Sequence, residues 1–449
     1  MLYHDGDLPK TIFIPPQKAV FLGTPRIPGS KYAAVRALII AALADGDSII
    51  KNIPQTDDTF ALLQALQVLG VRCDTTGEIL KVTGCAGKFP ASEQSTPICI
   101  DVRNAGAVLR LLLGVTATLP DVTFTTNFSA SLGKRPNKEL LDALRQLGAL
   151  IESGPDGALP IHVQGGNMHG GRAHISGARS SQFISALLLL APLLLDPVDI
   201  ILENGLVSAN FVRLTLQMMQ AAGVTAQYDD SLRWFHIAPG KYLPLQTEIR
   251  ADFPTAVMWF AATAATSGSM RIEKLDRYSE DGLAALAALH SLGADVVFEE
   301  QSEGSLTAWL TPPYMLHGAA LDGSLWIDSV PALAALAVFA DGVTRFDAIG
   351  NLRLKESNRI DDLCSEFCKA GAHAEPGEDF LLIYGSGADI AGGCVVDAHN
   401  DHRLAMALAI IALRTQRGLT ITGCDHAAKS YPNFWRELHQ LGVSFSVID

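Results

Sequence analysis

The chain has 449 residues and a formal charge of −13, from 34 Lys and Arg against 47 Asp and Glu. That balance leaves no general basic surface for nucleic acid, and the length exceeds what one core supports, so two domains are expected. The longest apolar run, residues 186–195, is interrupted by Pro192 and is too short for a membrane span.

The N-terminal MLYHDGDLPK lacks the charged-then-apolar order of a signal peptide. Seven cysteines (73, 85, 99, 364, 368, 394 and 424) form no CxxC pair, so reduced thiols and a cytoplasmic location are expected. Cys364 and Cys368, four residues apart on a helical pattern, read as packing residues.

In chain order, apolar stretches begin at 35–44, 106–117, 183–195, 256–265, 331–340 and 403–413. Each is followed by a second helical pattern that ends in Gly, then Ala or Val, then a strand-like run. The copies are LLQALQVLGVRC (62–73), LLDALRQLGALI (140–151), LTLQMMQAAGVTA (214–226), LAALAALHSLGADVVF (283–298), LCSEFCKAGAHAE (363–375) and WRELHQLGVSF (435–445). Leu and Ala at i, i+3 and i+4 supply a buried face. The Gly supplies a left-handed cap that turns the chain into a strand. Spacings of about 60 to 80 residues exceed simple solenoid periods, so each unit has room for two helices and several strands. Six α/β units, three per domain, follow.

The opening stretches share a second regularity. Each follows a small, polar or basic segment: GSK, RNAG, SSQ, ADFPT, DSVP and NDHR. Helix N-termini present free N–H groups and partial positive charge, and six of them facing inward would suit anions between the domains. Taken alone, Ser180 and Ser181 read as ordinary N-cap residues; Arg179 beside them suits an anion.

Charged residues in apolar company need partners. Lys31, Arg36, Arg110, Arg135, His402, Arg403 and Lys429 all stand at the edges of Gly-, Ala- and Leu-rich stretches. The segment 351–359, NLRLKESNR, packs three cations and a carboxylate into nine residues. On a helix, Lys355 and Arg359 would be i, i+4 neighbours of like charge with Glu356 beside them. Taken alone the segment reads as a solvated charged face, but with the other cations in apolar company, two cations and a carboxylate at one place suit an anionic substrate with an acid or base against it.

These motifs together resemble the enolpyruvyl transferase family. The matches run in the family's order from PGSK with Arg36, through Asp57-Asp58, NAG with Arg110, Arg135-Pro136 and SSQF, to Asp328-x-x-Pro331. They continue with NLRLKESNR, NDHR (400–403) and KSYPNFW (429–435). The resemblance implies a two-domain inside-out α/β barrel of six βαβαββ repeats, three per domain, with residues 1–29 plus 250–449 in one domain and 30–249 in the other. The site would lie in the interdomain cleft. It also implies transfer of the enolpyruvyl group of phosphoenolpyruvate to a hydroxyl of shikimate 3-phosphate or a close analogue, through a tetrahedral ketal, with release of phosphate. No metal or organic cofactor, no nucleic acid and no membrane is implied; the partners are small molecules and the expected state is a monomer.

By the same resemblance, Asp328 is the base near the acceptor hydroxyl, and Glu356 and Lys31 are both candidate proton donors at phosphoenolpyruvate. Lys31, Asn104, Gly106, Arg135, Gln182, Arg359, His402, Arg403 and Lys429 would hold phosphoenolpyruvate. Tyr32, Arg36, Ser180, Ser181, Gln182, Ser208, Asp328, Asn351 and Lys355 would face the acceptor.

The acceptor side departs from the family pattern. Tyr32 stands in place of a serine expected to contact the shikimate carboxylate, and Phe211 in place of a tyrosine. Asn127-Phe128-Ser129 replaces Thr-Gly-Asp, residues 252–256 read Asp-Phe-Pro-Thr-Ala, and Ala107 and Leu111 replace a Thr and a Pro. An ordinary enzyme with a drifted pocket and a specialised relative acting on another cyclic or nucleotide acceptor both fit. A ligand-binding paralogue without catalysis is a remote third. The branch acting on UDP-N-acetylglucosamine is disfavoured, because no cysteine lies between Asn104 and Pro136.

Overall fold

Among the described residues, six four-stranded sheets carry the architecture. The structure is a computed structural model and describes residues 8–17, 20–93, 97–165, 168–301 and 304–448. Residues 1–7, most of the segment considered for targeting, lie outside the described residues. The chain divides into a continuous unit, Gly29–Ile249, and a split unit, Met1–Pro28 with Arg250–Asp449.

The helices of the continuous unit are α1 (Lys31–Leu43), α2 (Asp57–Val68), α3 (Gly106–Val115), α4 (Lys138–Gln146), α5 (Ser181–Leu190) and α6 (Ala209–Ala221). Those of the split unit are α7 (Phe253–Ala265), α8 (Glu280–Ser291), α9 (Val330–Ala337), α10 (Arg359–Ala370), α11 (His402–Ala412) and α12 (Phe434–Gln440).

One repeat shows the plan. Strand Ile98–Asp101 leads into α3, strand Val122–Thr125 into α4, and Leu150–Ser153 and Ile161–Gln164 close as a hairpin. The first two strands pair in parallel, and Ile161–Gln164 pairs antiparallel with Val122–Thr125. The parallel pair needs a helical crossover, whereas the hairpin does not. The same spatial order recurs in all six sheets. Three sheets are completed from a distance: Gln246–Glu248 lies beside Asp47–Lys51, Leu22–Gly23 beside Ser269–Asp276, and Thr11–Ile14 beside Leu419–Thr422.

The odd-numbered helices are largely apolar on every side because nearly all of their residues are buried. Every residue of α7, α9 and α11 is buried. Their many alanines let the axes approach closely, and in the continuous unit Gly114 of α3 lies against α5. A Cβ there would stand 2.5 Å from the carbonyl oxygen of Ala186. The even-numbered helices are one-sided: α4 buries Leu140, Leu141, Ala143 and Leu144 and turns its charges outward. Helices inside and sheets outside make each unit an inside-out α/β fold.

The sixfold Gly signal is one structural device. Gly70, Gly148, Gly223, Gly293, Gly371 and Gly442 all have φ between 81° and 104°. In every copy the next residue's N–H returns to a carbonyl five residues earlier, as Val71 to Leu66 and Val443 to Leu438. This closes the orphan carbonyls of the last turn and aims the chain into the following strand. Among the described residues no helix is long and apolar enough to cross a membrane. All seven cysteines are free, and Cys364 and Cys368 both lie within hydrogen-bonding range of the Ala374 carbonyl, 3.1 and 3.7 Å away.

Candidate active site

In the split unit, Arg359 is the first residue of α10, whose N-cap Asn358 accepts from the Asp361 N–H. Its side chain is 1% exposed and meets three carboxylates. Nε donates to Asp401 at 2.7 Å, Nη1 to Asp328 at 2.9 Å and Nη2 to Glu356 at 2.8 Å. A planar fork of donors suits such a site as a lysine could not. Burial alone would lower the Arg359 pKa, but Asp401, Glu356 and Asp328 together raise it above the ordinary guanidinium range. Lys429 Nζ lies 2.9 Å from the other Glu356 oxygen, and Lys355 Nζ 3.3 Å from Asp328. Three cations and three carboxylates thus balance in one network drawn from four separate segments.

The 351–359 segment is not the helix on which Lys355 and Arg359 would be neighbours. Gly350–Leu354 forms a 3₁₀ turn, Lys355 is extended, and the α-helix begins only at Arg359. The two cations converge on Asp328 through this bend. Asn351 lies in the turn. The third cation, Arg353, serves elsewhere, pairing with Asp361 and donating to the Glu378 and Gly377 carbonyls.

Asp401 caps α11 by accepting from the Arg403 N–H at 2.8 Å while also holding Arg359. His402 is buried with Nδ1 3.8 Å from Asp401. Arg403 Nη2 lies 3.3 Å from Asp252 Oδ2, the oxygen that accepts from both the N–H and the hydroxyl of Thr255. Asp252 therefore caps α7, and Thr255 supplies it a hydroxyl donor, despite the altered 252–256 motif.

The continuous unit holds two further groups. In the first, α3 begins at Gly106 with no side-chain cap from Ala105. The Arg135 guanidinium sits over that end, with Nη1 3.3 Å from where a Gly106 Cβ would lie. Arg135 Nη2 is buried without a hydrogen-bond partner. Uncapped N–H groups beside such a donor make an anion-ready corner. Arg110, one turn into α3, donates to Asn137 at 3.0 Å and to Gln182 Oε1 at 2.8 Å, which turns the Gln182 NH₂ away from it. Burial first, then repulsion from Arg135 and Arg179 against the pull of Glu139, puts the Arg110 pKa below the usual guanidinium range. Asn104 accepts from Ser131 at 3.3 Å. Ser180 caps α5 through the Gln182 N–H, Ser181 is buried in its first turn, and Arg179 is in ion pairs with Glu139 and Asp156.

The second group opens α1. Ser30 caps the helix, and Lys31 Nζ lies 3.6 Å from Asp58 on α2. Tyr32 packs its ring against Phe211 with centroids 4.5 Å apart, so the two departures at these positions are in contact. Arg36 points inward and donates to Thr215, Ser185 and the Tyr32 and Phe211 carbonyls. Burial lowers its pKa, with a smaller opposing contribution from Tyr32. Ser208 opens α6 in a left-handed conformation, φ 50°.

Comparison with known proteins now decides the family. A sequence profile of the EPSP synthase (3-phosphoshikimate 1-carboxyvinyltransferase) family matches residues 17–438. The chain belongs to the EPSP synthase family. It is 38% identical to the 3-phosphoshikimate 1-carboxyvinyltransferase of Deinococcus radiodurans over 425 residues, 94% of either chain. It is 32% identical over 437 residues to 3-phosphoshikimate 1-carboxyvinyltransferase 2 of Halalkalibacterium halodurans, covering 97% of this chain and 95% of that one. Among solved structures, EPSP synthase from Acinetobacter baumannii superposes with a TM-score of 0.85 at 24% identity, over 98% of this chain and all of that one. The enolpyruvyl transferase NikO from Streptomyces tendae gives a TM-score of 0.75 at 18% identity over 98% and 99% of the two chains. Both share the fold.

Asp58, Asp252 and Asp401 were not assigned roles from sequence, although each lies in or beside a matched motif. The available signal for Asp401 was its place inside NDHR beside two basic residues, and for Asp58 the Asp57-Asp58 pair itself.

Proposed function

We propose that this protein transfers the enolpyruvyl group of phosphoenolpyruvate to a hydroxyl of shikimate 3-phosphate and releases phosphate. The observation that carries the reading is the balanced network around Arg359. Arg359 and Lys429 already hold carboxylates of the protein, so an incoming phosphate and carboxylate can exchange into those positions without leaving a buried cation unpaired. Lys31, Asn104, Gly106, Arg135, Gln182, His402 and Arg403 complete the phosphoenolpyruvate set.

The chemistry then follows in two balanced steps. The acceptor oxygen bonds to C2 of phosphoenolpyruvate while its proton leaves to Asp328, and the methylene carbon gains a proton to become methyl. The resulting ketal loses phosphate, and a methyl proton departs to restore the double bond. Glu356 suits the shuttling proton: a substrate anion that draws Lys429 and Arg359 away leaves this carboxylate with less positive charge beside it, favouring proton uptake. Lys31, near Asp58, is the second donor we retain. Ser180, Ser181, Ser208, Asn351, Lys355, Tyr32 and Arg36 belong to the acceptor side. We assign the protein to the cytoplasm as a monomer, a setting that seven free thiols suit. The test is phosphate release from phosphoenolpyruvate with shikimate 3-phosphate; release that depends on both substrates is expected, and none would overturn the reading.

One observation favours a second reading, the same chemistry on a changed acceptor. Tyr32 and Phe211 pack ring against ring where a serine and a tyrosine were expected, and Arg36 is engaged by protein partners. A lost hydrogen bond to a charged group costs about 1.5–3 kcal/mol, roughly ten- to a hundredfold in affinity. On that reading Tyr32→Ser lowers the KM for shikimate 3-phosphate. An ordinary wild-type KM, unmoved by the substitution, dismisses it.

A further inference from the structure

We infer that Glu366 and His399 are positioning residues, which fix the turn that delivers Asp401, His402 and Arg403. The inference rests on the reading that this turn holds the phosphoenolpyruvate anion.

The turn needs holding. His399 and Asn400 are consecutive non-glycine residues in the left-handed region, with φ of 50° and 57°. Such backbone persists only where its surroundings over-determine it. Within the turn, Asp397 Oδ1 accepts from the His399 N–H at 2.8 Å, and the Asp401 N–H returns to the Ala398 carbonyl at 2.8 Å. Further restraints come from α10. Glu366, its side chain fully buried, accepts the Asp397 N–H on Oε2 at 3.0 Å and lies 2.8 Å from His399 Nε2 through Oε1. Lys369 Nζ lies 2.7 Å from Oε1, and the other ring nitrogen of His399 is 3.7 Å from Asp362.

Arg359 and Glu366 are seven residues apart, two turns along one face of α10. The helix therefore grips the turn at both ends: Arg359 holds Asp401 at the substrate end, and Glu366 holds Asp397 and His399 behind it. Burial would raise the Glu366 pKa, but Lys369, His399 and the Asp397 N–H outweigh it and lower it, which keeps the acceptor charged. Without this grip, the left-handed pair can relax and carry the Arg403 side chain away. A shift of about 1 Å at a site built on geometry can cost on the order of a hundredfold.

Three variants test it. His399→Phe removes the ring nitrogen facing Glu366, His399→Gln retains a donor that can reach it, and Glu366→Gln replaces one acceptor oxygen with a donor. Wild-type phosphate release with shikimate 3-phosphate tests the parent reading separately. The positioning role is read from phosphoenolpyruvate affinity by titration calorimetry without acceptor, and from the KM for each substrate. Expected are roughly ten- to a hundredfold weaker phosphoenolpyruvate binding in His399→Phe and Glu366→Gln, with the acceptor KM unchanged and most of the loss recovered in His399→Gln. A merely structural role would lower the melting temperature and leave phosphoenolpyruvate affinity intact. Equal affinity in wild type and all three variants overturns the inference.

Discussion

At the scale of single residues, the unexpected property is that three of the cations read as anion binders are already neutralised. Arg359, Lys429 and Arg403 each face a carboxylate of the protein. The sequence displayed the cations because Lys and Arg stand out in apolar stretches. It did not display which carboxylate meets which cation, since Asp252, Asp328 and Asp401 come from segments far apart in the chain. Asp328→Asn and Glu356→Gln should each lower kcat by roughly a hundred- to ten-thousandfold if these carboxylates move protons. Circular dichroism should show both variants folded, and near-normal turnover in either removes that residue from the proton path. Arg36 is a case where sequence showed the residue but not its surroundings: the motif marks it, and only the packing of α1 against α5 and α6 shows its bonds to Ser185 and Thr215.

Among elements, the inner helices were legible because a helix apolar on every side must be surrounded by protein, and the outer ones because a Gly cap ends each. Their starts were less legible. The α1 helix begins at Lys31, four residues before the apolar stretch, since Ser30 can cap it there. Likewise the bend at Lys355 is invisible to a periodicity argument, because 3₁₀ and α turns share their residue preferences over so short a span. The inner packing yields a stability prediction. Gly114→Ala should gain about 1 kcal/mol in helix propensity yet lose about 1–3 kcal/mol to overpacking, because the obstructing Ala186 oxygen is backbone and cannot swing aside. Urea denaturation should show a net loss, and a more stable variant would mean that α3 and α5 can separate freely.

A second element-scale prediction concerns pH. Asp281, in the first turn of α8, has its carboxyl pushed from 3.8 to about 6, chiefly by burial, with Ser279 and backbone N–H groups opposing and Asp252 adding to the rise. The folded state thus holds a proton that the unfolded chain releases. Its stabilising contribution is complete below about pH 4 and is lost as pH rises through about 6. The melting temperature of wild type should therefore fall relative to Asp281→Asn between about pH 4 and 6.5, then run parallel to it. A constant difference across that range would show that Asp281 titrates normally.

For the whole molecule, each unit has its own buried core, one built on α1, α3 and α5 and the other on α7, α9 and α11. Scanning calorimetry should therefore depart from a two-state transition, with a van't Hoff enthalpy below the calorimetric one. Equal enthalpies would mean that the units melt as one. The sixfold plan was readable because the repeat is written in its caps and core stretches. The acceptor was not, since Tyr32 and Phe211 acquire meaning only through their mutual contact.

Strand Thr11–Ile14 lies between Leu419–Thr422 and Ser446–Val447 in its sheet. During synthesis, the continuous unit is fully translated while this early strand still lacks both neighbours. For some two hundred further residues its edges must be kept from other strands, a wait set by the order of translation rather than by the speed of any folding step. The same segment closes the sheet just upstream of Lys429. Lys429, the cation beside Glu356, therefore enters the fold only after the continuous unit is made, and a ribosome that stops between them releases a chain with a finished continuous unit and without this ion pair.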